Sequence, residues 1–202
     1  MSPFGLAFGA VSVNAGLSVM QTCLLSLLLF SGASQFALVS IIGSGGGMGS
    51  ALSTALLLGI RNGLYGMRVR ELVRPRGVQR LLAAQFTIDE STAMAIAEAP
   101  RGHAVRAFWT TGLSIYILWN LSTVVGALLG TGLGSPSSAG LDAAGPATFV
   151  ALLGPRLDSP HMRVVAFIAA AVALVVVPFV PAGAPVLIGA VAAVALVGLR
   201  ST

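Results

Sequence analysis

Long apolar runs follow one another along this chain, and short polar or glycine-rich stretches separate them. A membrane-spanning strand would alternate polar and apolar residues over about ten positions, and these runs do not alternate, so they predict helices. A helix needs roughly 20 apolar residues to cross a bilayer. By that measure the membrane segments are 4–17, 18–43, 47–67, 81–98, 105–133, 141–156, 163–181 and 183–200. The pattern predicts an all-α, polytopic membrane bundle in one domain, residues 1–202, with about 7–8 membrane segments, some short or re-entrant.

Composition supports lipid as the main solvent. Only 8% of the residues are charged and the mean hydropathy is +0.94, which leaves too few polar residues for the surface of a soluble domain. All 11 basic residues are arginines, and five of them fall within 67–80, which we expect to be a cytoplasmic loop facing anionic membrane lipid. These are Arg68, Arg70, Arg74, Arg76 and Arg80. No aromatic residues interleave with them, so we expect no nucleic-acid binding.

Metal and cofactor chemistry has little support in the sequence. Cys23 is the single cysteine, and the two histidines, His103 and His161, have no Cys or His at ligand spacing. The glycine-rich stretch 43–47 lacks the Lys and Ser/Thr of a phosphate-binding loop. We expect no metal site, no cofactor and no cleavable signal peptide, and we expect the first span to be short.

Segment 81–98 is long enough to cross a bilayer, but its middle is polar. Polar backbone at membrane depth is tolerated only where protein or a water-filled cavity surrounds it. The segment therefore faces the interior of a bundle, or it enters the membrane and returns. The second alternative places every arginine after Arg68 on one side of the membrane, as the positive-inside rule favours.

A faint internal repeat relates residues 32–39 to residues 145–152. It is compatible with inverted halves 1–100 and 101–202, a plan common in transporters, or with coincidence in a chain rich in glycine and alanine. Thr148 stands at the position of Gln35 in this comparison.

Five motifs occur in a fixed order. They are PFGLAFGA at 3–10, FSGASQFA at 30–37, IRNGLYG at 60–66, TIDE at 87–90 and LDAAGPATFVALLGPRL at 141–157. In this order and spacing they resemble the AzlC family, the large subunits of branched-chain amino acid exporters. The resemblance implies a multi-pass permease of the cell (inner) membrane of a bacterium, working with a small hydrophobic AzlD-like membrane subunit.

One group of candidate substrate-binding residues lies in the second segment, at Gly32, Ser34 and Gln35. An amide in lipid must find a partner, which is a neighbouring helix, water or the substrate. The small residues before Gln35 allow the helix to unwind or another backbone to approach, and a discontinuous helix offers free N–H groups to a carboxylate. We include Thr148 with this group.

Charged and polar residues supply the other candidates. Arg61 could receive a substrate carboxylate in two parallel hydrogen bonds, with Asn62 beside it, or it could extend to the headgroups or pair with an acid. Asp89 and Glu90 are candidates for proton or ion coupling, because partial dehydration favours the neutral carboxyl. The alternative is an ion pair with Arg61 or a loop arginine.

Two further features are interpreted structurally. Asp142 caps the helix that follows it. Trp109, Tyr116 and Trp119 form a stripe on one helix, which favours packing or interface anchoring over a ligand cage.

The sequence therefore favours a secondary transporter that exports neutral, branched-chain amino acids. An enzyme is disfavoured because no paired aspartates on separate spans, H-E-x-x-H motif or nucleophile elbow occurs. A channel or structural subunit remains the alternative, although no selectivity element recurs along the chain.

Overall fold

The computed structural model describes residues 2–132, 150, 153–154, 157–180 and 184–198, and these residues form helices and turns without any strand. This confirms the all-helical prediction. The helices are α1 (Ser2–Asn14), α2 (Val19–Leu28), α3 (Gly32–Gly43), α4 (Met48–Val73), α5 (Gln79–Phe86), α6 (Asp89–Glu98), α7 (Ala104–Gly132), α8 (Pro160–Val176) and α9 (Ala184–Gly198). Asp142, Thr148 and most of the segment 141–156 lie outside the described residues. So does most of the second copy of the internal repeat.

Two stretches of the described residues are long and apolar enough to cross a bilayer by themselves. They are Ala104–Gly132 and Pro160–Phe179. Four shorter apolar helices, including α1, α2 and α3, accompany them. The directions of the shorter helices follow from their packing contacts.

Helices α1 and α7 pack in parallel along a seam of glycines. A Cβ on Gly5 would lie 2.8 Å from the Cβ of Ser122, and a Cβ on Gly130 would lie 3.1 Å from the Cα of Ala10. A Cβ on Gly126 would collide with the carbonyl of Leu6. Such small residues let two helix backbones approach closely, which is how helices associate in lipid.

Segment 18–43 was predicted as one run, but it folds back on itself. Helix α2 ends at Leu28 and α3 begins at Gly32. The side-chain amide of Gln35 donates to the carbonyl of Ser26 at 3.4 Å, a contact that only reversed limbs can make across nine residues. We call α2, the tip 29–31 and α3 the first hairpin.

Helices α3 and α4 then run in opposite directions. A Cβ on Gly43 would lie 3.1 Å from the Cβ of Ala15 at the end of α1, so α3 runs parallel to α1. A short turn returns the chain into α4, on which Gly59 reaches the level of Ser34. Helix α4 is longer than the predicted segment 47–67.

The arginine-rich stretch is more helical than the sequence suggested. Arg68 and Arg70 lie in the last turns of α4, and Arg80 lies in the first turn of α5. Only residues 74–78 form the turn. The expected loop 67–80 is therefore wrong in extent, because Arg68, Arg70, Glu71 and Leu72 are good helix formers that allow α4 to continue.

Segment 81–98 also reverses direction. In the groove between α4 and α5, Arg80 at the start of α5 lies with Arg74 at the end of α4. Thr87, just after α5, lies with Gly66, which is two turns earlier along α4. Asp89 then meets Arg61, and Ala95 lies in one buried cluster with Val69 and Val73. Helix α5 therefore runs antiparallel to α4, and α6 runs parallel to α4. We call α5, the tip 87–88 and α6 the second hairpin.

Candidate functional site

The tips of the two hairpins meet at a cavity of about 120 Å³. A single water needs about 10–15 Å³ on that measure, so the cavity has room for a small solute. The first hairpin contributes Phe30, Ser31, Gly32, Ala33 and Phe36, and the second contributes Ile88, Asp89 and Glu90. Phe4 of α1, Arg61 and Asn62 of α4, and Ile115 and Trp119 of α7 complete the wall.

One wall of the cavity carries both charges. Arg61 Nη1 lies 2.9 Å from Asp89 Oδ2, and the two side chains are 33% and 27% exposed. The ion-pair alternative for Asp89 and Arg61 is thereby confirmed. Because Asp89 opens helix α6, its negative charge faces the positive N-terminal end of that helix, which stabilises it.

Two polar atoms on this wall have no hydrogen-bond partner within the described residues. They are Arg61 Nε and Asn62 Oδ1, and both are buried. A buried polar atom without a partner is costly. On this wall, one donor and one acceptor therefore remain for a polar solute.

The start of helix α3 forms the opposite wall. The first N–H groups of any helix have no partner inside it, and Ser31 at the N-cap gives them no side-chain hydrogen bond. Instead Ser31 Oγ lies 3.2 Å from Ser34 Oγ. The N-cap N–H of each tip is satisfied locally, since the Ser31 N–H donates to Leu29 O at 2.8 Å and the Ile88 N–H donates to Ser91 Oγ at 3.1 Å. Neither N-cap side chain satisfies the N–H groups of the first helical turn, but the first turn of α6 carries carboxylates and that of α3 carries none, so α3 is the terminus that favours an anion.

The candidate residues of the second predicted segment separate into two sets. Gly32 lines the cavity, whereas Ser34 and Gln35 lie behind it and are fully buried. Gln35 joins the two limbs of the first hairpin, and its Oε1 has no hydrogen-bond partner among the described residues. The structure places Gln35 as a support of the tip. Thr148 is not described.

Similarity to known proteins identifies the family of this chain. The family model for AzlC protein matches residues 1–133. The chain belongs to the AzlC family. It is 31% identical over 159 residues to the inner membrane protein YgaZ of Escherichia coli K12, which covers 75% of this chain and 65% of YgaZ. It therefore spans slightly less than two thirds of that relative's length.

A second relative is more distant. The chain is 28% identical over 163 residues to an uncharacterized membrane protein of Archaeoglobus fulgidus, covering 80% of this chain and 71% of that protein. No solved structure matches the chain. The named relatives are membrane proteins, so the AzlC chain is a membrane protein. The AzlC match contains α1 to α7, and so both hairpins and the cavity.

Trp119 is a cavity residue that the sequence interpretation assigned to packing. It is 6% exposed and packs against Phe8, with ring centroids 6.5 Å apart, which confirms the packing role. Its ring also covers Gly32, where an added Cβ would lie 3.3 Å from Trp119 Cη2. Its indole Nε1 is buried and has no hydrogen-bond partner among the described residues. A tryptophan within an otherwise apolar stripe was the available signal, since a buried indole N–H usually finds a partner.

Near the cavity, one backbone carbonyl of the first hairpin accepts hydrogen bonds from the second hairpin and from α7. Leu27 O, at the end of α2, accepts hydrogen bonds from Gln85 Nε2 at 2.7 Å and from Tyr116 Oη at 3.1 Å. The Tyr116 ring is flanked edge-on by Phe30 and Phe86, at 5.0 and 5.3 Å between centroids. This aromatic group holds the tips of the AzlC chain at a fixed separation.

Proposed function

We propose that this AzlC-family chain is the transporting subunit of a secondary exporter of neutral amino acids with branched aliphatic side chains. The observation that carries the proposal is a cavity between two hairpin tips that has opposite charges on its polar wall and aromatic and aliphatic side chains around it. A zwitterion with a small apolar side chain matches both properties.

The carboxylate of the substrate would bind where the anion-attracting groups converge. These are the free N–H groups at the start of α3 near Gly32, together with the Arg61 guanidinium. Asn62 would contribute its unpartnered oxygen to the ammonium group.

The ammonium group would lie beside Glu90, with Asp89 held by Arg61. Glu90 carries no ion pair of its own among the described residues, so it is the carboxylate more available to a substrate ammonium or to a coupling proton. The aliphatic side chain would then contact Trp119, Ile115 and Phe4.

The membrane arrangement is part of the proposal. We place the chain as a multi-pass protein in the bacterial inner membrane, with both hairpins re-entrant and their tips meeting near mid-depth. Unpaired helix ends at that depth are tolerated because the bundle surrounds them. A small AzlD-like subunit would cover part of the exposed apolar surface, and no catalytic activity is expected.

Counterflow into proteoliposomes tests this function. The purified complex, preloaded with unlabelled leucine, should accumulate radiolabelled leucine, isoleucine and valine, and should reject lysine and glutamate. Empty liposomes and an Arg61→Gln/Glu90→Gln complex, reconstituted at equal protein density, serve as controls. Failure of every neutral amino acid to exchange in a correctly assembled complex would favour the channel or structural-subunit alternative.

A further inference from the structure

A second concave site lies away from the cavity, at the other end of α4. It is a groove of about 470 Å³ between the last turns of α4 and helix α5, closed below by the turn 74–78. Four arginines line it: Arg70, Arg74, Arg76 and Arg80. Val69 and Ala83 form its apolar inner wall.

Within the described part of the chain, none of these four arginines forms an ion pair with a carboxylate, whereas nearby Arg68 pairs with Glu71 at 2.6 Å. Two of them are instead positioned by backbone carbonyls. Arg74 Nε donates to Glu71 O at 3.3 Å, and Arg80 Nε donates to Pro75 O at 3.4 Å. Both guanidinium groups are therefore oriented while their terminal nitrogens remain available to an anion.

The surroundings of the groove favour a ligand with an apolar tail. Leu81 and Met67, which lie on the two helices that border the groove, are 74% and 61% exposed. In a membrane protein such side chains face lipid tails. A soluble phosphate compound would use the arginines alone, whereas a phospholipid would also use the apolar wall of Val69, Ala83 and Ala84, with its acyl chain passing the exposed Met67 and Leu81 beside the groove.

We propose that this groove is a binding site for one anionic glycerophospholipid, with its phosphate headgroup among Arg70, Arg74, Arg76 and Arg80 and an acyl chain along α4 and α5. Guanidinium groups bind phosphate oxygens in pairs, and each basic residue near an anionic headgroup strengthens binding by about 1 kcal/mol, or about fivefold. The site is independent of the substrate cavity. Because α5 is one limb of the second hairpin, a bound lipid would stabilise that hairpin.

Lipid binding to the purified protein, with its partner subunit where assembly requires it, tests the proposal. Dioleoyl phosphatidylglycerol and dioleoyl phosphatidylcholine share their tails and differ in headgroup charge, so native mass spectrometry and thermal unfolding can compare them directly. We expect phosphatidylglycerol to remain bound after delipidation and to raise the unfolding temperature. Phosphatidylcholine should do neither. Soluble glycerol phosphate, as the tail-free arm, should not displace phosphatidylglycerol.

A matched pair of double variants separates this site from general charge attraction. Arg70→Gln/Arg76→Gln should weaken phosphatidylglycerol binding at least tenfold. Arg101→Gln/Arg106→Gln removes the same charge outside the groove and should leave binding unchanged. Equal loss in both variants, equal binding of the two lipids, or displacement by glycerol phosphate would each overturn the proposal. Substrate counterflow by the groove variant distinguishes this failure from failure of the transport function.

Discussion

At the scale of single residues, the central question is what the pair of Arg61 and Asp89 does in the cavity wall. Both side chains are about a third exposed, so water partly screens their attraction and the pair alone contributes little to stability. Arg61 also keeps one buried nitrogen without a partner among the residues that the structure describes. This favours a guanidinium that is held by Asp89 in order to be presented to a ligand.

Charge-neutral substitutions test that role. Arg61→Gln should reduce export about tenfold or more, because a hydrogen bond to a charged group contributes about 1.5–3 kcal/mol. Asp89→Asn should also reduce export, since it releases the guanidinium. Transport and surface expression should be measured for both single variants and for Asp89→Asn/Arg61→Gln. If the double variant regains the activity and expression of the wild type, the pair is purely structural and the substrate role is wrong.

Glu90 has a distinct predicted role, as proton carrier or ammonium partner. Glu90→Gln should abolish concentrative export while the complex still assembles. A proton carrier, once lost, leaves substrate-for-substrate exchange intact, whereas loss of an ammonium partner weakens exchange as well. Glu98→Gln removes a carboxylate from the far end of the same helix, outside the cavity, and serves as the control. Full activity in both Glu90→Gln and Asp89→Asn would contradict this placement of the site.

At the scale of the elements, helix α1 depends on the glycine seam with α7. Gly126→Leu would force a side chain into the carbonyl of Leu6, and overpacking costs at least about 1–3 kcal/mol. The variant should lower the unfolding temperature in detergent and the yield of monodisperse protein. Gly132→Leu is the matched control, because no described residue lies within 4 Å of a Cβ at that position of the same helix. Equal stability of the two variants would mean that the seam does not hold α1.

The sequence predicted the helices better than their directions. Apolar runs mark where helices lie, and the polar middle of 81–98 indicated either a segment facing the bundle interior or a return, because those groups cannot face lipid. The position of the return, at 87–88, came from the structure. The reversal within 18–43 was less visible, since Leu29 and Phe30 at its tip are as apolar as a continuous span. A break before Gln35 was anticipated, but it lies at 29–31, ahead of the small residues 32–34, which are helical. Trp119 as a cavity residue was not anticipated.

At the scale of the whole molecule, the two hairpins suggest a repeat that differs from the one the sequence hinted at. Helix α1 is followed by the first hairpin, and α4, which runs opposite to α1, is followed by the second. The structural units with opposed directions are thus 2–43 and 48–98, within the first half of the chain. The predicted halves 1–100 and 101–202 stay a prediction, because most of 145–152 is not described. Inverted units that meet at a central site are typical of alternating-access transporters.

The direction of each helix makes a prediction about membrane sides. Because the second hairpin returns, the turn before α5 and the turn before α7 lie at the same end of the bundle, and the turn between α3 and α4 lies at the other end. The arginines favour the cytoplasm for the first of these ends. In a Cys23→Ala background, Val78→Cys and His103→Cys should react with impermeant maleimide only from the cytoplasmic side. Ser44→Cys should react only from outside.

The three labelling positions separate two errors from each other. If all three react from the sides opposite to those predicted, the predicted arrangement of the hairpins is correct and only the arginine-based orientation is wrong. If Val78 and His103 react from different sides, segment 81–98 crosses the membrane and the re-entrant second hairpin is wrong. Transport activity of each cysteine variant shows that the labelled protein is folded, and unlabelled Cys23→Ala protein gives the background. The predicted pattern requires the arginine distribution and the helix packing to agree, because the arginine-rich end of α4 and the start of α7 must lie on the same side of the membrane.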